Sequence, residues 1–178
     1  MSSLFSTILI LIPTLSFTQD DTTILNFLND VIKHDTSSIY YTDKVDAGMY
    51  EYMMKKSLIK RRVKNINKAS SDKLILTSKE VAYIKEKLVT AKDKIWKNDL
   101  FMNSVRIPSD SIQSFLTQNK NRDLYIFSQP TFIRNNTVAL FYVVHLCCGG
   151  IYGPVDLSFY KKSGKQWQRW IRVDGGAF

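Results

Sequence analysis

Histidine and cysteine, the side chains behind most metal sites and nucleophilic triads, are scarce here: two of each in 178 residues. The cysteines, Cys147 and Cys148, are adjacent, and adjacent cysteines seldom bridge because the small ring strains the peptide between them. With no third cysteine, no ordinary intramolecular disulfide is available even in an oxidising compartment. Both are expected as buried thiols, with intermolecular pairing as the alternative. No C-x-x-C spacing points to zinc. Gly149, Gly150 and Gly153 are followed by neither Lys-Ser nor Lys-Thr nor a helical pattern, so they make no phosphate loop. Long apolar runs are missing too. The run over residues 4–17 has 14 residues and contains Pro13, short of the ~20 that a membrane-spanning helix needs. No segment is biased enough to read as disordered, and no internal repeat is present.

Charge is also absent at the start, where the first charged side chain is Asp20. An uncharged apolar stretch followed by small residues, Ser16 and Thr18, reads as a secretory signal over residues 1–18, although no Lys or Arg precedes it. No cysteine near the cleavage point suggests a lipid anchor. The expected product is an exported, periplasmic or secreted protein with one domain over residues 19–178 and no transmembrane span. Its net charge is +9, unevenly placed: residues 19–50 hold two basic and six acidic groups, and residues 51–68 hold seven basic and one acidic. Such asymmetry suits either solubility, the preferred reading, or attraction to an acidic polymer or lipid surface.

Apolar periodicity supplies the elements. Asp20, Asp21 and Thr22 can cap a helix whose Ile24, Phe27, Leu28, Val31 and Ile32 recur at three- and four-residue spacing, ending near His34. Residues 36–52 resist assignment. The aromatic and methionine-rich stretch from Tyr40 to Met54 is expected to pack in the core, with a pocket wall as the alternative. Residues 53–68 read as a basic amphipathic helix, and a strand follows near Lys73. Thr77-Ser-Lys-Glu80 is a capping box opening a helix that ends near Trp96, and another segment starts after Pro108 and runs to about Gln118. Beyond it come strands at 124–127 and 131–134, bent at Pro130, and an Asn135-Asn136 turn. The strand at 138–148 is apolar on both faces, and a final hairpin turns at Gly164. The fold class expected is α+β, with N-terminal helices packed on a C-terminal antiparallel meander of about four strands.

Candidate chemistry is sparse. His145 and Cys147 share a strand face and could form a thiol or hydrolase site, but Cβ atoms two residues apart on a strand lie ~6–7 Å from one another. Asp156 and Asp174 could pair as carboxylates. Tyr142, Tyr152, Trp167, Trp170, Arg169 and Arg172 are the candidate ligand contacts on the sheet. The final hairpin mixes its basic residues with aromatics in a pattern that can hold single-stranded nucleic acid; cross-strand packing with a solvated basic face is preferred. No cofactor or metal is expected.

Phe127-Ser-Gln-Pro-Thr-Phe132, Val138-Ala-Leu-Phe-Tyr-Val, a Cys-Gly-Gly segment and a Lys-Lys-x-Gly-Lys-x-Trp hairpin, with the upstream Leu76-Thr-Ser-Lys-Glu80 and Trp96, together resemble small exported proteins of unknown function common in Bacteroidota. The resemblance spans residues 74–173. That group often carries Cys-Gly-Gly-Leu-Cys-Gly; Cys148 matches its first cysteine, but Tyr152 stands in place of the second, so the disulfide that the resemblance implies lacks a partner. The helix-then-curved-sheet order is loosely similar to nuclear-transport-factor-2-like folds, with no site residues to carry over. The resulting expectation is a non-catalytic protein that binds a partner or small ligand. A thiol enzyme or hydrolase and an acidic-polymer binder are the alternatives.

Overall fold

A computed structural model describes residues 21–32, 38–55, 59–67, 71–98, 100, 103–147 and 153–177. The signal segment expected over residues 1–18, the helix end expected near His34, and Cys148, Gly149, Gly150 and Tyr152 lie outside the described residues.

Helix α1 (Asp21–Val31) follows its apolar spacing, burying Ile24, Phe27 and Leu28. Strand β1 (Ile39–Thr42), helix α2 (Ala47–Lys55) and the short strands β2 (Arg62–Lys64) and β3 (Lys73–Ile75) come next. The capping box forms as read: Glu80 N–H donates to Thr77 Oγ1 over 3.1 Å and Thr77 N–H to Glu80 Oε2 over 2.7 Å, opening α3 (Ser78–Ala91). Strand β4 (Ser104–Ile107) and a 3-10 turn at Ser109–Ser111 lead into α4 (Ile112–Gln118). Five strands follow: β5 (Leu124–Phe127), β6 (Thr131–Ile133), β7 (Val138–Leu146), β8 (Pro154–Ser163) and β9 (Gln166–Ala177).

The α+β class holds, but two expectations need correction. The main sheet has seven strands, not about four, in the order β4-β1-β5-β7-β8-β9 with β6 also on β7. Strands β1 and β4 lie among the N-terminal helices in sequence and join the sheet by parallel pairing, Tyr40 opposite both Val105 and Leu124. The helices therefore do not simply precede the sheet. Nor does residues 53–68 form one helix. Ile59, Val63 and Ile66 fit a helical period, but Arg62-Val63-Lys64 also alternates, and its pairing with Lys73–Ile75 buries Val63 between two exposed basic residues. That ribbon meets the edge of β9, where Ile66 N–H donates to the Arg172 carbonyl over 2.9 Å.

Strand β7 is the central strand its two-sided pattern predicted. Val138, Leu140, Tyr142 and Val144 enter one core with α2, α3 and the β2–β3 ribbon. Ala139 and Phe141 enter a second core with α1, Tyr41 and Trp96. Here Phe27 is fully buried and meets Phe132, Phe141, Tyr160 and Trp167 edge-on, with ring centroids 5.0–5.6 Å away. The bend at Pro130 separates β5 from β6, both paired to β7. Ser128 bridges the gap: its N–H donates to the Tyr142 carbonyl, and its Oγ accepts the Tyr142 N–H over 3.2 Å. The turn after β6 holds Arg134, Asn135 and Asn136 at positive φ, a conformation Asn tolerates well.

Candidate functional site

Helix α3 packs Ile84 and Leu88 into the core formed with Ile133, Val138 and Leu140. The β5 end of that face stays open, and a cavity of about 1090 Å³ occupies it. This is slightly above the roughly 300–1,000 Å³ typical of small-molecule sites. Its floor is apolar: Ile126 of β5, Val144 and Leu146 of β7, and Val155 and Leu157 of β8. Met49, Tyr52 and Met53 of α2 form one wall; Ile95 comes from the segment after α3 and Ile112 from the start of α4.

The polar lining includes six charged side chains, and two of the carboxylates are fixed by hydrogen bonds. Asp46 precedes α2 and accepts the Gly48 N–H at 2.7 Å, a capping contact. Asp174 reaches the cavity through an irregularity in β9. The register shifts between Leu157 and Ser158, so both Val173 and Asp174 serve the same face, a re-aiming typical of bulges. Tyr52 Oη donates to Asp174 Oδ2 at 2.5 Å and Gly175 N–H to Oδ1 at 2.9 Å. Tyr142 is only 4% exposed, and its hydroxyl makes no hydrogen bond among the described residues. Burial, and then the Asp46 carboxylate, holds that phenol above the ordinary tyrosine range. In the adjoining core, burial pushes Tyr50 up to about 12.

Of the ligand contacts expected from sequence, Tyr142 lines this cavity. Trp167 is buried on the opposite face beneath α1. Trp170 packs partly against the first core under Lys161, whose ammonium lies 5.4 Å from the ring centre. Asp156 and Asp174 do not pair: Asp156, beside Ser158 and the Tyr160 strand position, is clamped by Arg169 at 2.7 Å and lies 3.7 Å from Arg172 Nε. The hydrogen bond to Asp156, opposed by burial, holds the Arg169 guanidinium above its ordinary value. Paired in this way, Asp156 acts as a structural anchor between β8 and β9.

His145 stacks flat on Tyr125, with centroids 4.6 Å apart and planes 4° apart. Its Nε2 lies 3.0 Å from Asp123 Oδ2, but the stacked ring directs it away from hydrogen-bond geometry. Cys147 is a half-buried thiol just beyond it. Gly153 passes so close to this strand end that a Cβ there would overlap the His145 carbonyl. Among the described residues no three His, Cys, Asp or Glu side chains converge as a metal site, and no helix is long and apolar enough to cross a membrane.

Sequence reasoning did not single out Asp46, Met49, Tyr52 or Ile126 as one site. Its nearest signal was the Tyr- and Met-rich stretch, with a pocket wall as the alternative reading. No family model, curated protein or solved structure matches the chain.

Proposed function

We propose that this is an exported, non-catalytic binding protein whose cavity, between α2 and the β5–β7–β8 face, holds a small and largely apolar ligand. The observation that carries this reading is the cavity itself: about 1090 Å³ over an apolar floor of Ile126, Val144, Leu146, Val155 and Leu157. Apolar surface left uncovered at this scale gains most from a ligand that covers it. The export component rests on the uncharged apolar run over residues 4–17; N-terminal sequencing of the exported fraction tests it, with Gln19 expected as the first residue and an uncleaved start overturning it. The stacked, Asp123-facing ring of His145 gives the thiol-enzyme alternative less support.

Titration with the neutral solvatochromic dye Nile red tests the cavity. Saturable one-site binding is expected for the natural sequence, with marked loss in Ala47→Trp and Val144→Phe, which add bulk to the wall and floor. Equal dye binding by filled variants that retain the native circular dichroism and unfolding midpoint overturns the reading.

A further inference from the structure

The cavity's charge opposes that of the chain. The protein carries +9, yet four aspartates, Asp46, Asp93, Asp110 and Asp174, line the cavity against Lys44 and Lys92. Lys92 also lies 3.9 Å from Glu51, which offsets part of its charge. Asp46 and Asp174 are oriented by the Gly48 and Gly175 N–H groups and by Tyr52. Each carboxylate has about four acceptor sites, so both retain acceptor capacity. The second observation concerns a buried group. The Tyr142 side chain is 4% exposed, lines the cavity and leaves its hydroxyl unpartnered among the described residues, within electrostatic reach of Asp46. That hydroxyl is not one of the fully enclosed unpartnered side-chain atoms, so its free side opens to the cavity and can donate to or accept from a ligand there.

We propose that the ligand is an organic cation, an apolar body with a protonated amine, whose amine is held at Asp46 beside the Tyr142 hydroxyl, with Asp174 as a second carboxylate in the same field. This rests on the cavity being a ligand site and adds the sign of the ligand's charge. A carboxylate-bearing lipid of the same shape meets repulsion where the amine meets attraction. The preference runs against the net charge, since non-specific attraction to a +9 protein favours anions.

The test is competition with bound Nile red by decylamine, decanol and decanoate at neutral pH, below their aggregation concentrations. Decylamine is expected to displace the dye at least about tenfold more tightly than decanoate, with decanol between them. Asp46→Asn keeps the capping acceptor but removes the charge, so it is expected to weaken decylamine several-fold and leave decanol unchanged. Tyr142→Phe removes a hydroxyl with no described protein partner and provides a second check should Asp46→Asn fold poorly; weaker decylamine binding is expected there too. Decanol equalling decylamine, or decanoate binding most tightly, overturns the cation assignment while the cavity reading stands. Failure of the dye and all three probes to bind removes both.

Discussion

Replacing Phe27 by alanine is the most direct challenge to how α1 is held. The ring is fully buried and touches four aromatic rings edge-on. Phe→Ala in a packed core costs about 3–5 kcal/mol through lost transfer energy and the cavity left behind. Edge-on pairs add ~0.5–1.5 kcal/mol each beyond area, although the pairs share one ring and do not sum. A value near 4–5 kcal/mol is expected, a large part of the ~5–15 kcal/mol that stabilises a typical domain. At ~2–4 °C per kcal/mol for a chain of this size, the thermal unfolding midpoint should fall by roughly 8–20 °C. Urea unfolding followed by tryptophan fluorescence measures the free-energy cost, since Trp167 lies 5.1 Å from Phe27 and reports on this core. Phe27→Leu should cost less and, because this core is on the face opposite the cavity, leave Nile red affinity unchanged. A Phe27→Ala cost below about 1 kcal/mol would falsify the packing of α1 against the β7–β9 face.

Ser128→Ala should cost ~1–3 kcal/mol because the buried Tyr142 N–H loses the Ser128 Oγ acceptor; urea titration and faster amide exchange at Tyr142 check it. The Arg134 hydrogen bond, opposed by burial, holds the Glu80 carboxyl below its ordinary value near 4.5. Because the folded form binds the proton less readily than the unfolded one, this stabilisation is present above about pH 4.5 and is lost as pH falls through the lower folded value. Urea midpoints in acid should therefore fall less steeply for Glu80→Gln than for the natural sequence, and parallel curves would refute the linkage.

Local signals read well where neighbours along the chain decide the structure. Thr77 and Glu80 cap α3 because both orphan N–H groups lie within reach of side chains three residues apart. The two-sided apolar pattern of β7 placed it in the middle of the sheet. Strands β1 and β4 are four residues each and pair in parallel across a long separation, so no hairpin turn announces them. The tail of the basic segment fits two periods, and only contact with β3 and β9 decides between them. The cavity was least legible. Its floor reads as ordinary core, and it exists because α2 and α3 cover only part of one sheet face; that depends on packing rather than on any motif. Asp174 was visible as a carboxylate, but the register shift that turns it towards Leu157 was not.

The Ile66 N–H to Arg172 carbonyl contact has a consequence for the molecule's behaviour in concentrated solution. Strand β9 is the longest in the sheet and ends it, so an uncovered β9 offers a row of backbone donors and acceptors to another chain. The β2–β3 ribbon shields part of this row, and its exposed Arg62, Lys64 and Lys73 bring like charges towards any approaching copy. The opposite boundary, β4, is only four residues long and offers little length for recruitment. The ribbon thus protects the fold against strand-to-strand polymerisation.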